Sequence, residues 1–348
     1  MSPAPRAAIL SISGQSLLDA EKAMLSECQP WGVILMGRSC GTRDQVRQLI
    51  DDIWMALSRA CLIFIDQEGG RVARLKAPEW PLFPSGRIYG DLYQDKPEAG
   101  LEAAWLGHRL IAHELAAMSI HANCAPVLDV PVAGSHNVIG DRAFATDPES
   151  VAELGRAALR GLRDGGVAGV IKHMPGHGRA TLDSHEHLPV VGEGDNTLAS
   201  DIHPFAAIND APMAMTAHIA YPTIDPEAPA TLSRPLISNI IRGRIGFDGL
   251  LMTDDLGMKA LGGTLTARAN SAISAGCDVV LHCSGFVKDP DVIVAEMREV
   301  GEAVPLLSGD PLRRAHRAEQ FATLEKPFDA KAGWQRFKTL LADVEAVA

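Results

Sequence analysis

The chain predicts a (β/α)8 barrel of the TIM type, a single α/β domain, on three observations. Eight short apolar runs punctuate it, near Ala8–Ile12, Gly32–Met36, Leu62–Ile65, Ile120–Ala125, Ala168–Ile171, Met213–Ala217, Leu250–Thr253 and Val279–Leu281. Each is continuous enough to be a strand buried on both faces. Helical patterns lie between them, and strands alternating with helices make a parallel sheet. Polar residues gather where the runs stop: Asp66, Lys172 with His173, His218, Asp254 with Asp255, and His282. A barrel of this kind builds its active site from such strand ends.

Taken in order, the first run is followed by Ser13-Gly14-Gln15, with no GxGxxG turn before a helix. That argues against the rival fold, an open doubly wound sheet. The stretches from Gln67 to about Lys96 and from Val127 to about Asp147 are long for connections and read as functional loops over the barrel mouth. Asp147 and Pro148 then open the clearest helix as N-cap and first residue, Val151, Leu154, Ala158 and Leu162 form its apolar stripe, and Gly165-Gly166 ends it. The tail from about Asp310 to Ala348 reads as one or two helices packed outside. No repeat, low-complexity tract or linker marks a boundary, so residues 1–348 are expected to form one catalytic barrel.

Of the 348 residues, 47% are hydrophobic and 22% charged, enough apolar material for a large core. The net charge of −11, with no Lys/Arg block, repels phosphate backbones, and nucleic acid is not an expected partner. Six cysteines without a CxxC pair suit thiols in a reducing compartment. No apolar run approaches ~18 residues, and Ala7–Ile12 is too brief for a secretory core, so no membrane association is expected and the cytoplasm is the expected location. No obligate protein partner is evident.

Three segments carry chemistry. The richest runs from Lys172 to His187 and holds four of the 12 histidines on a Pro- and Gly-rich loop after the fifth strand. Its histidines could shape a rigid loop by bonding to backbone, could join Asp183 as zinc ligands, or could include an acid/base dyad. In the dyad Asp183 accepts a hydrogen bond from His185 and keeps its ring oriented, leaving the imidazole to give and take a proton near neutral pH. The second segment, Met252 to Met258, sets Asp254 and Asp255 at the barrel mouth, as helix caps or as reacting carboxylates. The third, Ile65 to Arg74, combines a glycine pair with the opposite charges of Asp66 and Arg74.

In this order and spacing the segments resemble glycoside hydrolase family 3, and within it the single-domain bacterial β-N-acetylglucosaminidases of peptidoglycan recycling. The resemblance spans nearly the whole chain. It is carried by Gly32 to Leu35, Asp66 to Arg74, Asn137 to Phe144, the Lys172 to Gly178 run with Asp183-Ser184-His185, and Thr253 to Leu256. It implies that Asp254, directly after the small hydroxyl residue, is the nucleophile and Asp255 its bystander. It implies equally that His185, paired with Asp183, is the general acid/base in place of the usual Glu. Asp66, Arg74, Arg142, Lys172 and His173 match positions that hold the terminal N-acetylglucosamine. Met174 stands where the family commonly has an aromatic residue, and both it and Met258 are expected in the pocket wall.

What the resemblance implies is an exo-acting, retaining hydrolase that releases N-acetylglucosamine from cell-wall fragments linked β-1,4 to anhydro-N-acetylmuramic acid, with no cofactor and no metal. Asp254 attacks the anomeric carbon while His185 protonates the leaving oxygen, and His185 then activates water. The rivals are attack by the 2-acetamido group itself, phosphate as acceptor, a metal-dependent barrel hydrolase, and a catalytically silent sugar-binding sensor.

Overall fold

The eight apolar runs form a closed barrel. The computed structural model describes residues 4–192, 195–322 and 326–345. Its barrel strands are β1 (Arg6–Ser11), β2 (Pro30–Leu35), β3 (Leu62–Ile65), β4 (Ala122–Asn123), β5 (Ala168–Met174), β6 (Met213–Thr216), β7 (Leu250–Asp255) and β8 (Val279–His282). Each pairs in parallel with its neighbours in chain order, and β8 closes on β1 with Ile9 opposite Leu281. The (β/α)8 reading is therefore met. Strand residues are buried on both faces, which is why they read as continuous apolar runs and not as alternating ones.

Two strands run further than their apolar pattern. β5 carries Lys172 and His173 inside it, and β7 carries Asp254 and Asp255, because backbone pairing continues past the last aliphatic residue while the side chains turn to the mouth. The fourth strand is shorter than expected, ending at Asn123 ahead of Pro126, a residue with no N–H to give to a ladder.

Helix starts follow local capping. Asp147 accepts from Ser150 N at the head of Pro148–Asp164, and Thr42, Thr264 and Asp289 cap three other helices in the same way. The segment read as a loop from Gln67 to about Lys96 is more ordered than that. It holds a two-stranded ribbon, Gln67–Gly69 against Val72–Ala73, and a helix, Gly86–Asp95. Gly69 and Gly70 both have positive φ, 100° and 56°, the conformation this turn demands. The stretch from Val127 to about Asp147 is irregular, with one 3-10 turn at Gly140–Arg142. The tail forms two helices, Gly309–Phe321 and Ala330–Glu345. The second lies outside the barrel, with Trp334 against Phe83 and Phe337 against Tyr89.

Among the described residues, no helix is long and apolar enough to cross a membrane. All six cysteines are free. Burial pushes every one of the six thiols up, Cys40 and Cys61 to about 12, so none is a ready nucleophile.

Candidate active site

A cavity of about 480 Å³ opens at the C-terminal ends of the strands. All eight residues singled out from sequence line it: Asp66, Arg74, Arg142, Lys172, His173, Asp183, His185 and Asp254. Met258 lines it too. Met174 does not; its side chain is fully buried in the core, which corrects its expected place in the wall.

One side of the cavity is a chain of alternating charges. Arg74 meets Asp66 at 2.9 Å, Asp66 meets Lys172 at 3.1 Å, Lys172 meets Glu68 at 2.6 Å, and Arg142 grips Glu68 through two nitrogens at 2.8 and 2.9 Å. Burial alone would raise both carboxyls. The neighbouring cations reverse that, holding Asp66 well below the usual carboxylate range and Glu68 down to about 2. Lys172, whose ammonium burial would discharge, is kept charged by the same two carboxylates. The wall therefore presents fixed cationic N–H donors and carboxylate acceptors, the chemistry that grips a polyhydroxylated ring.

The histidine loop divides into anchors and a tip. His173 Nδ1 donates to Asp129 at 2.6 Å, and the His177 backbone N–H donates to the other oxygen of Asp129, also at 2.6 Å. Asp129 is fully buried, which would raise its carboxyl, yet the His173 ring and these bonds bring it down to about 2. His177 is buried, lines the cavity, and its ring pairs with Ser184 Oγ at 3.0 Å; burial, with His173 beside it, lowers it to about 4, so it is neutral. Beyond these anchors His185 stands exposed. Its Nδ1–H donates to Asp183 at 2.8 Å and its backbone N–H donates to the same oxygen at 2.9 Å. Burial would raise Asp183, but these two bonds together with the nearby imidazoles of His185 and His136 bring its carboxyl below its ordinary value. With Nδ1 engaged, Nε2 is the nitrogen left for proton transfer.

At the end of β7, half-buried Asp254 accepts the Asp255 backbone N–H at 2.8 Å. Asp255 turns the other way. Its Oδ1 accepts from His282 Nδ1 at 3.2 Å and from the backbone N–H groups of Gly257 and Cys283, both at 2.9 Å. His282 Nε2 donates to Glu296 at 3.3 Å. Burial would lower His282, but the two carboxylates flanking it raise it, and both ring nitrogens act as donors. So Asp255 is spent on a buried ion chain, and Asp254 is the carboxylate free to face the cavity.

Sequence reasoning missed Glu68, Asp129, and the His282–Glu296 pair. Glu68 sits two residues after Asp66 in the same segment, and that spacing was its available signal. Asp129 follows the apolar pair Val127-Leu128, a strand-end pattern like those read elsewhere. Glu296 lies on helix Pro290–Ala303 and carries no local signal. Among the described residues, no group of three or more His, Cys, Asp or Glu side chains is arranged to hold a metal ion.

The chain is similar to known proteins over most of its length. Residues 8–305 match the glycosyl hydrolase family 3 N-terminal domain. A β-hexosaminidase of Bordetella avium is 38% identical over 288 residues, covering 80% of this chain and 81% of its own. NagZ of Neisseria gonorrhoeae, solved in complex with N-trifluoroacetyl-D-glucosamine, superposes with a TM-score of 0.82 at 31% identity, over 99% of both chains. The same gonococcal protein solved with a zinc ion gives 0.82 at 30% identity, over 99% of this chain and 98% of that one. The chain belongs to glycosyl hydrolase family 3.

Proposed function

We propose that the protein is a retaining, exo-acting β-N-acetylglucosaminidase that works through a covalent glycosyl-aspartate on Asp254. Its enzyme class, a family 3 glycoside hydrolase of the β-N-acetylhexosaminidase type, is that of its relatives. The observation that carries the finer reading is the meeting, in one cavity, of an unspent carboxylate with an oriented imidazole. Asp254 is free of the ion chain that occupies Asp255, and His185 is held by Asp183. The carboxylate attacks the anomeric carbon as His185 Nε2 protonates the leaving oxygen; the neutral imidazole then takes a proton from water, which displaces the aspartate. Asp66, Arg74, Arg142, Lys172 and His173 hold the N-acetylglucosamine ring, its hydroxyls and amide bonding to the charged wall.

In this reading residues 1–348 act as one catalytic barrel with the tail helices outside, and no cofactor, metal, nucleic acid, membrane or obligate protein partner takes part. The substrate is a muropeptide fragment carrying N-acetylglucosamine β-1,4-linked to anhydro-N-acetylmuramic acid, and the enzyme works in the cytoplasm, which six unpaired cysteines support. The test is release of 4-nitrophenol from its N-acetyl-β-D-glucosaminide by wild type, with and without EDTA, and by Asp254→Asn. Turnover that ignores EDTA and drops at least about 10³-fold in the variant is expected. Loss of activity in EDTA would favour a metal-dependent hydrolase, and the zinc complex of the gonococcal relative is the reason for that arm. Full activity in the variant would remove Asp254 from the chemistry.

A further inference from the structure

We propose that Phe286 is the platform of a leaving-group subsite, receiving the apolar face of the sugar ring attached to the scissile oxygen; this rests on the glycosidase reading above. Phe286 lines the active cavity, yet 58% of it is exposed. Its ring centroid lies 6.0 Å from that of His185, the planes crossing at 74°. The residue that protonates the bridging oxygen must reach it within hydrogen-bond distance, so whatever that oxygen carries lies beside His185, where Phe286 stands. A pyranose shows C–H groups on one face, and an aromatic ring is the side chain that covers such a face with the least loss of freedom.

A lone exposed aromatic is ordinary on a protein surface. What sets this one apart is its mounting. Phe286 sits in a turn closed by the Val287 N–H donating to the Ser284 carbonyl at 3.2 Å. Arg38 donates to that same carbonyl at 3.2 Å, to the Cys283 carbonyl at 2.7 Å and to the Ile12 carbonyl at 2.8 Å, tying the turn to the ends of β8 and β1. The Ser284 hydroxyl donates to Glu296, the partner of His282. These bonds hold Ser284 in a left-handed conformation, φ 46°. A turn fixed before binding gives up little backbone entropy when a ligand covers the ring it carries. The charged wall from Arg74 to Arg142 suits the ring that Asp254 attacks, and the apolar platform suits the ring that leaves. Binding of that remote ring, realised in the transition state, appears in kcat/KM and not in KM alone.

The experiment compares wild type, Phe286→Ala and Phe286→Tyr on two probes, N,N′-diacetylchitobiose, whose leaving group is a pyranose, and N-acetyl-β-D-glucosaminyl fluoride, which has none. Phe286→Ala is expected to lower kcat/KM on the disaccharide about tenfold more than on the fluoride, and Phe286→Tyr to restore most of it. Equal losses on both probes would overturn the platform, showing that Phe286 acts through the fold, and a loss on the disaccharide that comes with a shifted pH profile of kcat/KM would overturn it too, showing that Phe286 acts through His185. Retained activity on both would overturn it as well. A wild type inert towards both probes would overturn the glycosidase reading and the platform together.

Discussion

Lys172 Nζ lies 2.6 Å from Glu68 Oε1 with both side chains almost wholly buried, and Arg142 closes on the same carboxylate from the other side. Glu68 thus keeps two cations in place that would otherwise repel each other. Glu68→Gln keeps the shape and removes the charge. Because one partner of a buried pair is lost while the others stay, the variant is expected to lose about 3 kcal/mol of stability. With Lys172 and Arg142 no longer held at their positions, KM should also rise about tenfold. Urea unfolding and steady-state kinetics on the 4-nitrophenyl glycoside check both; a destabilised variant with unchanged KM would show that the charged wall does not bind the ring.

The Asp183–His185 pair makes a second expectation. Replacing His185 with Ala should slow hydrolysis of a sugar leaving group by about 10² to 10⁴, and cost far less in forming the glycosyl-enzyme from a 2,4-dinitrophenyl glycoside, whose leaving group needs no proton. Asp183→Ala, which frees the ring without removing it, should fall between wild type and His185→Ala. Pre-steady-state release of dinitrophenol measures the first step alone. Equal losses for both leaving groups would take His185 out of acid catalysis.

Much of this was legible in the chain because barrel strands are buried on both faces and so announce themselves as apolar runs, and because the polar residues that end them fall at one mouth. The ends themselves were not legible: Lys172, His173, Asp254 and Asp255 lie inside strands whose hydrogen bonding outlasts their hydrophobicity. The helix Gly86–Asp95 was hidden as well, since its two glycines weaken the helical pattern. Partners on neighbouring elements, such as Asp129 after β4 with His173 on β5 or His282 on β8 with Glu296 on the helix that follows it, depend on how the elements pack and leave no local periodicity.

Those two helix glycines have a packing reason. A Cβ at Gly86 would meet the Arg142 carbonyl, and one at Gly90 would run into the Phe144 carbonyl. The helix therefore seats directly on the backbone that carries Arg142 into the cavity. Gly90→Ala adds one methyl group where neither partner is a flexible side chain, so helix and loop must part. A stability loss of about 1 to 3 kcal/mol is expected despite the better helix propensity of alanine. KM should rise with it as Arg142 withdraws. A variant that melts like the wild type would mean that the seating is looser than these contacts require.

Asp129 sets the acid limit of the fold. Its carboxyl, which burial would raise, is brought to about 2 by the His173 ring and the His177 N–H, against about 3.9 in an unfolded chain. A depressed acid contributes stability that is fully present above the unfolded value and is lost as the pH falls towards the folded one, so the window here is roughly pH 4 to 2. The shift corresponds to roughly 2 to 3 kcal/mol, since each unit is worth about 1.4. Asp129→Asn is destabilised at pH 7, because the anchors of the histidine loop lose their charged acceptor, but its stability should fall less steeply across that window. Urea unfolding at pH 7, 4 and 3 measures both. Parallel decline of wild type and variant below pH 4 would assign the acid sensitivity to other carboxylates, Glu68 first among them, since it too is held at about 2.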